Sequence, residues 1–367
     1  MRVVSLKTLG FRNLAPGEVE LGEGVTLLHG ANGAGKTNIL EALYMGLAGR
    51  SCRTRADRET IAFGEPLSRA EVTLSDQGER REFLCAVDRE SGRRHLVNGS
   101  AMPDAAQLRP PIAVFMPDRL TLVKGPPAAR RSHLDGFVAA LRPARAEARR
   151  RYARALSQRN ALVSRIRSGS ASADSLDAWD AELAEAGVEL MAARSAAVAA
   201  LAPLFEAAAS ELGLAEPELR YAPRSKAEGA EELRAELSEK RESDLARGFS
   251  GHGPHLDEVA ISLAGRAARR YASQGQQRSA LLALLFAERD ALLAERAEPP
   301  LMLLDDVTSE LDPERRELLC ARLAAGGGQS LVTATESSHL PASCERLELA
   351  VRNGAAIRGV DERTEAA

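Results

Sequence analysis

The sequence predicts an α/β fold in which a phosphate-binding head is interrupted by an inserted helical lobe. Three observations lead there. A glycine-rich stretch, Gly30-Ala31-Asn32-Gly33-Ala34-Gly35-Lys36-Thr37, fits G-x-x-x-x-G-K-[ST] and lies between an apolar, β-prone run and a segment with apolar residues at helical spacing. Far downstream, Leu301-Met302-Leu303-Leu304 is a short apolar run that stops at two carboxylates, Asp305 and Asp306. Between the two lies a long stretch of helical pattern whose charge reverses sign part-way.

The 367 residues suffice for one large α/β domain or two lobes. Residues 3–9, 18–21 and 25–28 read as strands that deliver the chain to the glycine-rich loop. Strand, loop and helix together form a phosphate cradle. The glycines let backbone N–H groups converge on one anion, Lys36 adds a point charge for the β- and γ-phosphates, and the Thr37 hydroxyl is placed for Mg²⁺. A chance glycine turn would lack these flanks, so the stretch implies a nucleoside triphosphate. The following helix is expected to end near Gly49. After it, Arg50-Ser51-Cys52-Arg53-Thr54-Arg55 reads either as a solvated connection or as a contact to base or phosphate.

Strands are expected at 70–74, 81–87 and 94–97, the last closed by an Asn98-Gly99 turn. Another apolar run covers 110–115, and Gly125-Pro126-Pro127 breaks the chain before a helix carrying Arg130-Arg131 and Leu134-Asp135. Between positions 142 and 167 there are nine arginines and one acid, Glu147. Arg145 and Arg149, like Arg150 and Arg154, stand one helical turn apart and share a face. After a turn at 168–172 the sign reverses, with Asp174, Asp177, Asp180, Glu182, Glu185 and Glu189. Two readings stay open: an antiparallel hairpin that partly neutralises itself, or a basic helix that contacts phosphates. No heptad is sustained long enough for an extended coiled coil, so the arm is short. Beyond it come an Ala-rich helix over 190–212, a strand at 218–222, a charged helix over 230–247, and strands and loops from Gly248.

An acid at the carboxyl end of a buried strand is where a phosphate-loop ATPase holds Mg²⁺, which assigns Asp305 to the metal and Asp306 to polarising the attacking water. Ser273-Gln274-Gly275-Gln276 stands just before a helix-prone Leu/Ala run. A hydroxyl, bare N–H groups and a positive helix end there give a second anion site or an ordinary capped helix. Ser309-Glu310-Leu311-Asp312-Pro313 follows the acidic strand end.

Composition narrows the classes. A formal net charge of −3 gives no global sign of nucleic-acid binding, so such a site must be a local patch. Only 5 of the 49 basic residues are lysine, so single arginines carry little information and clustering carries the signal. Four scattered cysteines form neither a disulfide framework nor a zinc motif. The opening residues lack an apolar signal region, and the runs at 196–209 and 281–293 are interrupted by Pro203 and charged residues. The expectation is a soluble, cytoplasmic protein without a membrane partner. His252 and His255, near Asp257, are the one tempting histidine pair, and a structural loop is the reading preferred for them.

Together the loop, the Ser-x-Gly-Gln stretch and the acidic strand end resemble the ABC-type ATPases. That resemblance implies a head of mixed sheet with flanking helices, ATP and Mg²⁺ as cofactors, and an ATP-dependent head-to-tail homodimer. Lys36, Asp305 and Asp306 would be catalytic, Ser273, Gln274, Gly275 and Gln276 would cap the γ-phosphate of the other subunit, and Asp312 would lie near the seam. Gln274 stands where a glycine is usual, Asp306 where glutamate is usual, and Thr335 where a switch histidine is usual, so hydrolysis is expected to be slow.

Within that class the chain resembles the RecF family of bacterial recombination mediators. The residues that carry the likeness run from Leu9-Gly10-Phe11-Arg12-Asn13-Leu14 through the glycine-rich loop, Ser51-Cys52-Arg53-Thr54, 124–131 and Ser157-Gln158-Arg159-Asn160. They continue through Gly253-Pro254-His255, Ser273–Gln277 and Leu303–Asp306 to Asp312. Leu256 departs from the family, where arginine is usual. The resemblance implies a dimer that clamps DNA at gaps or junctions, works with RecR and RecO to load RecA, and uses weak, DNA-stimulated hydrolysis as a switch. It divides the chain into head (1–135), helical lobe with short arm (136–247) and head (248–367). A transporter ATPase would be expected to carry a tighter Leu-Ser-Gly-Gly-Gln signature, and a long-armed chromosome ATPase a longer insert.

Overall fold

A computed structural model describes residues 1–101, 108–109, 111–309 and 311–358. Pro110 and Glu310, both within stretches singled out from the sequence, lie outside the described residues. The chain divides into two compact units, Met1–Arg119 with Leu292–Ala367, and Leu120–Ala291.

In the first unit, β1 (Arg2–Leu9), β2 (Gly17–Glu20) and β3 (Val25–His29) lead to the loop and to α1 (Lys36–Ala48). Then follow β4 (Leu67–Asp76), β5 (Glu79–Asp88), β6 (Gly92–Val97) and β7 (Ile112–Phe115). β4 buries Ser68, Ala70, Val72 and Leu74, and β5 buries Phe83, Cys85 and Val87. This period of two marks strands with one face on the core. They form an antiparallel sheet of order β2-β1-β4-β5-β6. The Asn98-Gly99 turn takes positive φ at both residues, 50° and 78°, as a tight hairpin requires.

The second unit holds α2 (Thr121–Lys124), α3 (Pro127–Leu141), α4 (Ala146–Arg167), α5 (Leu176–Glu211), β8 (Pro217–Ala222), α6 (Ala230–Glu239) and α7 (Arg241–Arg247). It continues with β9 (Glu258–Leu263), β10 (Arg266–Ala267), α8 (Ala268–Tyr271) and most of α9 (Gln274–Arg296). β10, β9 and β8 form a small antiparallel sheet.

α4 and α5 are an antiparallel hairpin. Arg151 faces Glu182, Glu185 and Glu189, while Arg159, two turns on, meets Asp180. The sequence suggested one helix over 230–247. The structure has two, because Lys240 closes a tight turn and the next helix sends Arg241 to Asp177 and Asp180 and Asp244 to Arg159. The stretch Ala173–Glu211 is long and apolar enough to cross a membrane by length and composition alone. It nevertheless buries Asp180 and Arg194, each paired within the same unit.

The chain returns to the first unit with β11 (Leu301–Leu304), α10 (Pro313–Ala325), β12 (Ser330–Ala334), β13 (Arg346–Arg352) and β14 (Ala355–Arg358). The second sheet has the order β14-β13-β3-β12-β11-β7 and is parallel except at β14. β11 and β12 are buried at every residue, the mark of parallel strands covered on both faces. One apolar cluster joins Ile39, Leu40 and Leu43 of α1 to Val72 and Phe83 of the first sheet and Leu28, Leu303 and Leu331 of the second.

The division differs from the boundaries drawn at 135/136 and 247/248. α3 sits with the helical unit because Asp135 takes a buried ion pair from Arg194 of α5 and Arg130 bonds Glu258 of β9. The stretch from 248 to 291, with Ser273, belongs to that unit too, through β9 and its pairing with β8.

Candidate nucleotide-binding site

The loop residues Gly30, Ala31, Asn32, Gly33, Ala34 and Gly35 follow β3 and turn into α1, with Lys36 and Thr37 as the first helical residues. Two glycines are obligatory here. A Cβ at Gly30, φ 150°, would lie 2.3 Å from the Val351 carbonyl oxygen, and Gly35 caps α1 at φ 114°. Around the loop, Gly30 N–H donates to Thr335 O at 3.2 Å, and the Asn13 amide donates to Gly33 O at 2.8 Å.

Lys36 Nζ donates to Gly30 O at 2.6 Å and Ala31 O at 2.9 Å, so the ammonium is folded over its own loop. Burial lowers its pKa, against the opposing pull of the Asp305 and Asp306 charges. The Thr37 hydroxyl lies 2.9 and 3.0 Å from the two Asp305 carboxylate oxygens. Asp305 is 6% exposed, and its pKa is raised first by burial and further by Asp306, while hydrogen bonds from Thr333 and Thr37 hold it back. Asp306 adopts φ 50°, a left-handed conformation that is costly for a non-glycine residue and that clusters at functional sites.

The loop and the acidic strand end, 268 residues apart in sequence, therefore meet in one cleft of about 360 Å³. Gly33, Gly35, Lys36, Thr37, Asp305 and Asp306 all line it.

One lining residue, Thr333, escaped the sequence reading, and a second, Arg53, lies in the loop that the sequence left open between a solvated connection and a contact to base or phosphate. Thr333 on β12 donates its hydroxyl to Asp305 Oδ1 at 2.8 Å and accepts from Asp306 N–H at 2.9 Å, so one buried side chain holds the Asp305 carboxylate and the Asp306 backbone. Arg53 donates to Asn38 Oδ1 at 2.8 Å and to Glu41 Oε2 at 3.1 Å. Glu41 is fully buried on α1. Burial alone would raise its pKa, but hydrogen bonds from Arg12 and Ser51 and the charges of Arg12 and Arg53 hold it below the usual range. The available signal was an acid, Glu41, on an otherwise apolar helix face.

Asn32 and Thr335 line the cleft as well, whereas the other residues singled out downstream are not among its lining. Ser273 and Gln276 form a reciprocal capping box: Gln276 N–H donates to Ser273 Oγ at 3.2 Å, and Ser273 N–H donates to Gln276 Oε1 at 2.9 Å. α9 already starts at Gln274, so Gly275 sits inside the first turn rather than before it. Asp312 caps α10 by accepting from Arg315 N–H at 2.9 Å. Arg149, Arg150 and Arg154 are exposed on α4 and Arg145 is exposed in the turn just before it, with Arg149 3.5 Å from Asp135 and Arg150 bonded to Glu147. His255 has both ring nitrogens bonded, to Tyr152 and to Ser250 O, and His252 meets Glu236, a structural loop. Among the described residues no cluster of histidine, cysteine and acidic side chains suits a metal.

The profile of the RecF/RecN/SMC N-terminal domain matches residues 2–356. The chain is 36% identical over 344 residues to the DNA replication and repair protein RecF of Heliobacterium modesticaldum, covering 91% of this chain and 92% of that one. The chain belongs to the RecF family. RecF of Myxococcus xanthus is 38% identical over 353 residues, with 92% of each chain covered, and RecF of Deinococcus radiodurans is 37% identical over 337 residues, with 92% and 91% covered. The fold agrees. A RecF structure with ATP, described as a recombination mediator of the RecFOR pathway, superposes with a TM-score of 0.86 at 26% identity over 98% of both chains. An SMC head bound to a domain of ScpA superposes at 0.59 with 15% identity over 97% and 96% of the chains, which speaks to fold alone. The fold is therefore an ABC-type ATPase head of the RecF and SMC kind, and the protein is a DNA replication and repair ATPase of the RecF family.

Proposed function

We propose that this RecF-family chain is an ATP-dependent DNA clamp of recombinational repair and replication-fork maintenance. The observation that carries the ATP part is the convergence of the Thr37 hydroxyl and the Asp305 carboxylate within about 3 Å of each other, beside Lys36 and Asp306. A hydroxyl and a buried carboxylate kept from easy ionisation form a donor set that a divalent cation would satisfy, so Thr37 and Asp305 would hold Mg²⁺. The ion would neutralise charge on the β- and γ-phosphates. Lys36 exchanges the carbonyls of Gly30 and Ala31 for phosphate oxygens. Asp306, held by Thr333, orients and polarises the attacking water.

Ser273, Gln274, Gly275 and Gln276 complete the site in trans in an ATP-dependent homodimer, with Asp312 at the seam. The ready-made cap supports this, because Ser273 still has its hydroxyl proton to donate to a phosphate. Asp306 in place of glutamate and Thr335 in place of histidine support slow hydrolysis that releases DNA. DNA at gaps and junctions is the ligand, and exposed Arg145, Arg149, Arg150 and Arg154 are its candidate contacts on the arm. The RecFOR context of the ATP-bound relative supports RecR and RecO as partners in loading RecA, in the cytoplasm.

The test is binding of gapped duplex DNA, followed by fluorescence anisotropy with Mg-ATP and with ADP, for wild type and Ser273→Arg. Binding that requires ATP and disappears in Ser273→Arg, while nucleotide affinity persists, is the expected result. Equal binding in both nucleotide states refutes the clamp.

A further inference from the structure

The first unit carries a second cleft, of about 460 Å³, whose walls are arginine. Arg50, Arg53 and Arg55 come from the loop after α1, Arg93 from β6, and Arg119 from the turn after β7. Asp57 is the one carboxylate among the described residues that line it. That carboxylate is already engaged by Arg93 at 2.9 Å, and Arg53 is committed to Glu41 and Asn38. Arg50, Arg55 and Arg119 are left facing the cleft without a carboxylate on its wall to balance them.

In a chain of net charge −3, this concentration is a local excess rather than a general basicity. Like charges in a concave wall repel one another and focus a positive potential, a cost that an anionic ligand removes. The guanidinium fork matches phosphate oxygens in a bidentate fashion. Cys52, the thiol in the lining, is pushed up to about 12 by burial, so the cleft has no thiolate chemistry to offer. Nor does it offer a base platform. The lining's one aromatic residue, Tyr44, is 7% exposed and presents no free face for stacking. A wall of guanidinium groups with no open aromatic face suits phosphates rather than bases, the pattern of backbone contacts.

We propose that this cleft grips the phosphodiester backbone of nucleic acid through Arg50, Arg55 and Arg119, beside the nucleotide cleft with which it shares Arg53. The assignment rests on the DNA-binding reading above and adds a contact surface on the head to the one on the arm. Recognition is sequence-independent, and each phosphate contact contributes about 0.9 to the slope of log K against log salt for duplex DNA.

The experiment compares wild type with Arg55→Ala/Arg119→Ala on a 30-bp duplex and on a gapped duplex across a salt series with Mg-ATP, alongside ATP affinity measured with a fluorescent analogue. The double variant is expected to lower the salt slope by about 1.8 and to weaken both duplexes alike, about ten-fold or more at 0.15 M salt. ATP affinity should stay within about two-fold, the check that the head has folded. An unchanged slope with wild-type DNA affinity overturns the proposal. If wild type binds no DNA in either nucleotide state, the clamp reading fails by itself. The cleft is then read by calorimetry with inorganic tripolyphosphate on Lys36→Ala and on Lys36→Ala/Arg55→Ala/Arg119→Ala. Binding lost only in the latter assigns the cleft to a free polyphosphate and overturns the nucleic-acid assignment, and no binding by either protein overturns the phosphate site altogether.

Discussion

Thr333 ties the acidic strand end with a single hydroxyl, donating to Asp305 and accepting from the backbone of Asp306, whose φ of 50° needs an external tie. Thr333→Val keeps the volume but removes both bonds. Hydrolysis should fall about ten- to a hundred-fold, the scale of a lost positioning contact, with ATP affinity little changed and Thr333→Ser restoring most of the rate. The pH profile separates positioning from mere packing. Asp305 already has a raised pKa, and losing the Thr333 hydrogen bond raises it further. Its carboxylate is then protonated at higher pH, so the acidic limb of hydrolysis should shift upward. A profile that keeps its shape while the rate falls would argue against this role.

At the scale of elements, the hairpin of α4 and α5 is tied together by charge at two depths. Arg151 meets three glutamates on the solvent side, where such pairs contribute at most about 1 kcal/mol. Arg159 is fully buried and bonds Asp180 at 2.6 Å, Asp244 at 2.7 Å and Ser250 Oγ at 2.7 Å. This one side chain links α4 to α5, to α7 and to the loop before Gly253. Arg159→Ala leaves Asp244 buried without its cation, and a cost of about 3–5 kcal/mol is expected in urea unfolding. A loss under about 1 kcal/mol would show that the network relaxes to admit water.

At the scale of the molecule, every residue placed in the nucleotide cleft comes from the first unit, although the chain leaves that unit at Arg119 and re-enters it at Leu292. Ligand linkage should therefore be uneven. In hydrogen exchange of Ser273→Arg with Mg-ATP, amides of the loop, α1, β11 and β12 should gain protection, while those of α4 and α5 should stay unchanged. Uniform protection of both units would mean that nucleotide orders the protein as a whole.

The glycine-rich loop, the strand ending in Asp305 and Asp306, the Asn98-Gly99 hairpin and the charge-segregated hairpin were legible because each is local. Their geometry depends on backbone conformations and periodicities that contiguous residues encode. The family likeness was legible for the same reason, since its motifs are short runs in a fixed order. Thr333 was not, because a threonine in a buried strand is ordinary until the register of β11 against β12 sets it beside Asp305. Glu41 likewise acquires meaning only through its pairing with Arg12 and Arg53. The break between α6 and α7 and the attachment of α3 to the helical unit follow from Arg159, Arg241 and Arg194 finding acids 21 to 85 residues away. The arginine cleft is the clearest case. Among 49 basic residues no single arginine is informative, and only folding brings a loop, a strand and a turn together so that their charges add. The sequence determined which local geometries form, and the tertiary structure decided which distant charges and hydroxyls meet, because Coulombic and hydrogen-bond energies depend on distance in space and not along the chain.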